Sequence, residues 1–269
     1  QHGCRVYVGL RLIPRGARRR TRGWQRDVIK TGTRSNAFGQ PIGPAVPSFQ
    51  AREMPSRAPM CGRYTRLDPL GTQHAQALFE AFSLAPDERA FTYLFDERPD
   101  SLLAMQAKAE RLNAATDAQH YAVIDTLTER AVGHAALMRI DRTHGVIEVG
   151  HITMSPLLQR TRTATEMMWL LMTHVFDELG YRRFEWKCDA LNAPSRRAAE
   201  RFGFQFEGTF RQAVVYKGRS RDTAWYSILD QDWPRLRGGY TAWLEPTNFD
   251  EHGRQRQRLQ DLIAAYIAP

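Results

Sequence analysis

Residues 164–179 constrain the fold more than any other segment. Ala164, Met167, Met168, Trp169, Leu170, Leu171, Met172, Val175 and Phe176 leave a helix of that length almost no polar face. A helix that is apolar all round is buried. Strand-like runs flank it, Val146–Met154 before and Arg183–Asp189 after, and Gly180 supplies a C-terminal stop. A strand–helix–strand crossover of this length joins parallel neighbours. Upstream, Cys61–Leu67, Tyr121–Asp125 and Val132–Ile140 read as strands, the later ones joined by short polar turns at residues 128–130 and 142–145. Such strands pair antiparallel. Thr72–Phe82, with Thr72 as cap, and Ser101–Ala115, with Ser101 as cap, read as helices. Downstream come a helix at Asn192–Arg201, strands at Phe204–Phe210 and Thr223–Leu229 around a charged loop, and a helix at Arg254–Ala268. In that last helix Leu259, Leu262, Ile263, Tyr266 and Ile267 form one stripe, which predicts docking on its own domain or on a second copy in a homodimer. The order predicts an α/β (α+β) domain around one mixed sheet.

Charge divides the chain. Residues 1–57 hold twelve Lys/Arg against two acids, Asp27 and Glu53, whereas the remaining 212 residues hold 26 against 27. The basic balance belongs to the first segment, so the folded body offers no basic surface for nucleic acid. Arg18-Arg19-Arg20 and Pro41, Pro44, Pro47, Pro55 and Pro59 predict a disordered or extended segment at 1–57. Residues 1–35 read as an arm able to bind nucleic acid, as a transit segment, or as sequence preceding the protein proper. Asn36–Ser56 reads as an extended arm packing through Ile42, Val46 and Phe49. The expected division is an extension at 1–57, a domain at 58–234 and a helical extension at 235–269. The longest strongly apolar run, Met167–Met172, is too short for a membrane span. A soluble, cytoplasmic protein without a membrane partner is expected.

The chain lacks a GxxxxGK[ST] loop, a GxGxxG after a strand, a GxSxG elbow and an HExxH pair, and its eight His are dispersed. No metal site is expected. Cys188 reads as a buried strand residue. Four pieces stand out: Glu148-Val149-Gly150-His151; Gln159-Arg160-Thr161-Arg162-Thr163-Ala164, followed by Thr165-Glu166; Asn192-Ala193-Pro194-Ser195 with Arg196 and Arg197; and Phe202-Gly203-Phe204.

Together these resemble the GNAT superfamily of acetyl-CoA-dependent N-acetyltransferases, and within it the RimJ/RimL branch and the microcin C resistance acetyltransferases, over roughly Gly62 to Pro234. Asn192, Ser195, Gly203 and Phe204 match the family's N-x-x-S-x7-G-F pattern. Gln159 and Ala164 match its diphosphate loop, where Arg162 replaces the usual Gly. That replacement is tolerable if residue 162 keeps a negative φ. The resemblance implies a mostly antiparallel sheet with one splayed parallel strand pair and flanking helices.

The resemblance also implies site residues. Gln159, Arg160, Thr161, Arg162, Thr163, Ala164 and Thr165 would receive the CoA diphosphate at a helix N-terminus, where unpaired N–H groups and the helix dipole favour anions. Backbone groups of Ile152, Thr153 and Met154 would hold the thioester, Asn192 the pantetheine arm, and Ser195, Arg196, Arg197 and Phe202 would line CoA. Glu148 and His151 are the candidate bases. Strand alternation sends them to opposite faces unless a bulge intervenes. Ala199 stands where many members carry a Tyr as general acid, leaving the thiolate to be protonated by Ser195, by water or not at all; the favoured reading of Ser195 is a helix cap. Trp186, Phe210 and Tyr216 read as an acceptor pocket or as core. The expected reaction moves acetyl to a primary amine, on a protein N-terminus or a small amine or aminoacyl compound. A non-catalytic CoA-binding regulatory module is the alternative.

Overall fold

The computed structural model describes residues 34–266 and the backbone of Arg5–Val6. Strands β1 (Arg5–Val6), β2 (Arg34–Ser35), β3 (Pro41–Ile42), β4 (Met60–Cys61) and β5 (Thr65–Pro69) precede helices α1 (Ala75–Ser83) and α2 (Leu102–Asn113). Then come β6 (Ala118–Asp125), β7 (Arg130–Asp141), β8 (Val146–Met154), α3 (Arg162–Thr173), β9 (Arg183–Asp189) and α4 (Ala193–Arg201). The chain continues with β10 (Gln205–Tyr216), β11 (Arg219–Leu229), α5 (Trp233–Leu244) and α6 (Leu259–Ala265).

The described residues 34–51 belong to a unit separate from the main body. In its described part, β2 and β3 pair antiparallel around a turn in which the Asn36 Oδ1 accepts from the N–H groups of Phe38 and Gln40. Ile42 and Val46, expected to pack, are exposed. Apart from β1, the expectation for residues 1–33 lies outside the described residues. The docked arm is instead residues 53–57. The Tyr181 hydroxyl donates to the Glu53 carbonyl, the Tyr121 hydroxyl donates to the Ser56 carbonyl, and the Arg57 guanidinium donates to Gln119 and to the Ala115 carbonyl.

Among the described residues, the main sheet runs β1-β4-β5-β6-β7-β8-β9-β11-β10. It is antiparallel except where β1 meets β4 and β8 meets β9. The sheet is mixed and mostly antiparallel, as expected. Alternation along β6 divides the core into two. Tyr121 and Val123 face α3, α5 and α6, whereas Ala122 and Ile124 face α1 and α2 with Leu78, Phe82 and Met105.

Every residue of α3 from Thr163 to Thr173 is buried. The Thr161 Oγ1 caps it by accepting from the Ala164 N–H. The helix widens over His174–Glu178, where the Leu179 N–H reaches back to the His174 carbonyl, and Gly180 leaves it at φ 64°. Inside α3, the buried Glu166 carboxylate accepts from the N–H groups of Arg63 and Tyr64, at 2.9 and 2.5 Å. It thereby satisfies backbone left unpaired where β4 and β5 are interrupted. A side chain on Gly62 would occupy the carboxylate's place.

Three expectations are corrected. Ser101 caps α2 as expected, but Thr72 lies inside a short 3₁₀ turn after Gly71. Strands β10 and β11 run on to a tight turn at Lys217-Gly218, so the expected long loop is a hairpin. Helix α6 covers only Leu259–Ala265. The side chain of the buried Asn248 ties the preceding segment into a turn, donating to the Trp243 carbonyl and accepting from the Gln257 N–H.

Within the expected helical extension, helix α5 itself was not placed by the sequence reading. It places Leu236, Tyr240 and Trp243 in the same core as α3. A methyl group on Gly239 would stand 2.7 Å from the Ile263 Cα, so this glycine is what lets α6 lie against α5. Leu259 and Ile263 of the predicted stripe are buried there, and Leu262 and Tyr266 are half-buried.

Candidate active site

Strands β8 and β9 pair in parallel register from Val146/Arg183 to Val149/Trp186 and no further. Both strands continue, to Met154 and Asp189, so they part beyond Val149. At the parting, β8 carries a bulge. Gly150 faces Ala136 and Thr153 faces His134, which leaves two residues of β8 opposite one of β7. His151 sits in that bulge with φ 48°, a conformation costly for a non-glycine residue and common at working sites. The extra residue shifts the alternation. Glu148 and His151 therefore line the same cavity, of about 280 Å³, with Trp186, Lys187, Cys188, Asn192 and Ser195.

Glu148 is buried at 5% exposure. Lys187 Nζ lies 2.7 Å from its carboxylate and Arg139 Nε 3.3 Å. Burial still pushes the Glu148 carboxyl above the usual range, against the pull of those two cations. Lys187 also lies 2.7 Å from Glu185 and 3.8 Å from the centre of the Trp225 ring, which stacks on Phe210 at 4.4 Å. His151 is held below the ordinary imidazole value by burial, and its ring lies 5.0 Å from that of His120. Burial, with His151 as neighbour, pushes His120 down to about 4. Burial also holds His134 well below the ordinary imidazole value. All three are neutral at pH 7.

The loop after β8 enters α3 as expected, with the helix starting one residue after Thr161. The Gln159 side-chain amide donates to the Met154 carbonyl, and Arg160, not Arg162, takes the positive φ, 63°. Arg162 occupies the first helical turn, so the Gly-to-Arg replacement carries no backbone strain. Its guanidinium lies over the Tyr64 ring at 4.3 Å. Thr163 and Ala164 are buried, and Thr165 Oγ1 accepts from the Arg201 guanidinium at 3.1 Å.

Other expected site residues are committed elsewhere. Asn192, not Ser195, caps α4: its Oδ1 accepts from the Ser195 N–H. The Ser195 Oγ accepts from the Trp186 indole N–H at 3.1 Å. Arg196 donates to the Tyr226 hydroxyl and the Ala190 carbonyl, and Arg197 is exposed. Phe202 is a core residue against Trp186. Cys188 is buried, as expected, and burial raises its thiol. Tyr216 is buried, its hydroxyl donating to Asp189 at 2.7 Å, whereas Phe210 and Trp186 line the cavity.

Sequence reasoning missed Lys187 and Trp225; Arg221 and the loop Tyr93–Asp96 fall in the stretches Tyr216–Asp222 and Thr72–Asp100, which the sequence marks as facing the acceptor without singling out a residue, and all of them line the cavity. Lys187 alternates with Trp186 and Cys188 on β9, and Arg221, Thr223 and Trp225 alternate on β11. That period was the available signal, hidden because the hairpin read as a loop.

The family model for the acetyltransferase (GNAT) domain matches residues 65–205, more than half of the chain. The solved structure of a GCN5-related N-acetyltransferase from Brucella melitensis is 47% identical, with a TM-score of 0.80, covering 81% of this chain and 100% of that one. The chain belongs to the GNAT acetyltransferase family. A GNAT structure from Chromobacterium violaceum, described as a probable acetyltransferase, is 38% identical with a TM-score of 0.67, over 72% of this chain and 97% of that one. A Bacillus subtilis protein named "Putative ribosomal N-acetyltransferase YdaF" is 28% identical over 101 residues, 38% of this chain and 55% of its own length. That relative is consistent with the RimJ/RimL-like branch. GNAT proteins use acetyl-CoA as co-substrate and need an acceptor. Among the described residues there is no group of three or more His, Cys, Asp or Glu able to hold a metal, and no helix long and apolar enough to cross a membrane.

Proposed function

We propose that this GNAT protein moves acetyl from acetyl-CoA to a primary amine, on a protein N-terminus or a small amine or aminoacyl compound. The observation that carries the reading is the bulge at His151, which gathers Glu148 and His151 into one cavity where β8 and β9 part. The first turn of α3 offers N–H donors and a positive dipole end to the diphosphate, with Arg160 exposed beside it. The gap between the strands accepts the pantetheine arm, and backbone groups at Ile152–Met154 polarise the thioester carbonyl. Asn192 keeps its amide NH₂ for the same arm while its Oδ1 caps α4.

In the reaction the amine nitrogen bonds to the acetyl carbon and the C–S bond breaks. Glu148 takes one N–H proton, and the CoA thiolate leaves to be protonated from solvent. The raised basicity of buried Glu148 suits it to this transfer. His151, neutral and on the same wall, is the second base in reach of an amine held there. The test is thiol release from acetyl-CoA across a panel of amines, with CoA-induced thermal stabilisation measured in parallel. Release with an amine supports the reading. Stabilisation by CoA without release from any amine would favour the non-catalytic module, and no stabilisation at millimolar CoA would count against both.

A further inference from the structure

The wall of the cavity formed by β11 presents Arg221, Thr223 and Trp225 on one face, two residues apart. Arg221 is 7% exposed. Its Nε donates to the Thr223 Oγ1 at 3.1 Å, and its guanidinium lies over the rings of Phe95 and Tyr216 at 5.2 and 5.8 Å. Among the described residues, no Asp or Glu oxygen lies within 4.0 Å of it.

The other cations on this cavity are neutralised: Lys187 by Glu148 and Glu185, Arg139 by Glu148. The carboxylates of nearby elements are engaged elsewhere. Asp96 pairs with Lys108 and Arg111, and Asp189 accepts from the Tyr216 hydroxyl and the Leu191 N–H. A guanidinium this deep without a counter-charge is expensive. Its Nε is taken, so the two Nη groups remain as a fork that matches a carboxylate. Trp225, on the same face, has a buried indole N–H without an acceptor. Donors outnumber acceptors on this wall, and a ligand that brings oxygen atoms corrects the imbalance.

Resting on the acetyl-transfer reading above, we propose that the acceptor is an amine that also carries a carboxylate, and that Arg221 binds this carboxylate while the amine meets Glu148. The substrate class is therefore an amino acid, an amino acid derivative with a free carboxylate, or a short peptide with an acidic side chain near its N-terminus. Thr223 is the positioning residue that holds the fork.

The experiment uses the full chain. Thiol release is measured with α-amino acids, ω-amino acids and Xaa-Asp dipeptides, each beside its neutral carboxamide. The acids are expected to exceed their amides in kcat/KM by about thirtyfold or more for at least one pair. Arg221→Gln should erase that preference through the acceptor KM, with the KM for acetyl-CoA unchanged. Arg221→Lys should keep part of it, and Thr223→Val should weaken it without abolishing turnover. Stabilisation by CoA reports that each variant is folded. Calorimetric titration of N-acetyl amino acids and their amides into the protein–CoA complex repeats the comparison without chemistry. Equal turnover of acids and amides would overturn this proposal and leave acetyl transfer standing. So would a preference that survives Arg221→Gln. CoA binding with no turnover of any amine would overturn acetyl transfer, and the calorimetric pairs would then decide for or against a carboxylate site at Arg221.

Discussion

The start of α3 and the acceptor-facing wall of the cavity are built by different means. At the start of α3, which lies outside the cavity lining, the turn is closed mainly by neighbours in sequence: Thr161 caps Ala164, Gln159 holds Met154, and Thr165 bonds the Thr161 carbonyl. On the cavity wall, the backbone of the loop around Tyr93–Asp96 is held by residues more than 120 positions away. The Lys217 ammonium donates to the carbonyls of Phe91 and Asp96 and pairs with Glu97, and the Arg219 guanidinium donates to the Thr92 carbonyl. The β10–β11 hairpin thus clamps the loop that faces Arg221. A local device can be kept while a long-range one is redrawn, which, under the acetyl transfer proposed above, suits the start of α3 to a constant co-substrate and the cavity wall to a chosen acceptor.

The largest expected effect concerns His151, which lines the cavity, and the buried His120 and His134. The folded protein holds His120 near 4, against about 6.5 when unfolded, and lowers His134 and His151 as well. Between those values the unfolded chain binds more protons, so stability is full above about pH 6.5 and lost as pH falls toward 4. His120 alone accounts for about 3 kcal/mol across that window. Thermal melts from pH 7.5 to 4.5 should show the fall, and His120→Gln should flatten it. An unchanged melting temperature over this range would mean that the histidines are not buried neutral.

Glu148→Gln comes next. Turnover should drop on the order of a hundredfold, with CoA affinity nearly intact. The rise of rate with pH through the raised Glu148 value should vanish too, because the carboxylate is the active form above its pKa and the amide does not titrate. Because the bulge puts His151 on the same wall, His151→Gln should also lower the rate, by less. A larger loss for His151→Gln would reverse the assignment of the base.

Lys217→Ala removes the clamp. The acceptor KM should rise by about tenfold, the equivalent of one strong hydrogen bond, while CoA binding stays constant. Equal effects on both substrates would erase the distinction between the two regions. The smallest effect belongs to Thr161→Ala, a lost cap that costs about 1 kcal/mol in stability. It should weaken CoA binding and leave the preference among acceptors alone, as competition between amines would reveal.

The elements that could be read from sequence were those whose signals are local. The strand Val146–Met154, the buried helix with its loop, and the cap Ser101 each announce themselves within a few residues, whereas the cap of α4 was read at Ser195 and lies at Asn192. Helix α5 stayed hidden because Pro234 and Gly238-Gly239 look like breakers. Pro234 is harmless in a first turn, and Gly239 is there for the approach of α6. Strands β10 and β11 were cut short because Arg211, Lys217, Arg219 and Arg221 read as a solvated loop. Arg221 is buried only because Phe95 and Tyr216 close over it.

By itself the sequence determined the crossover, the mixed sheet and the loop that enters α3, since periodicity and turn chemistry are properties of short stretches. Tertiary structure decided which side chains share the cavity. One extra residue opposite Ala135 turns His151 toward Glu148, and parallel pairing of β8 with β9, which sets Glu148 opposite Glu185, brings both carboxylates to Lys187. Neither follows from spacing along one strand, because register between strands is set by the packing of both sheet faces and by the turns that join them.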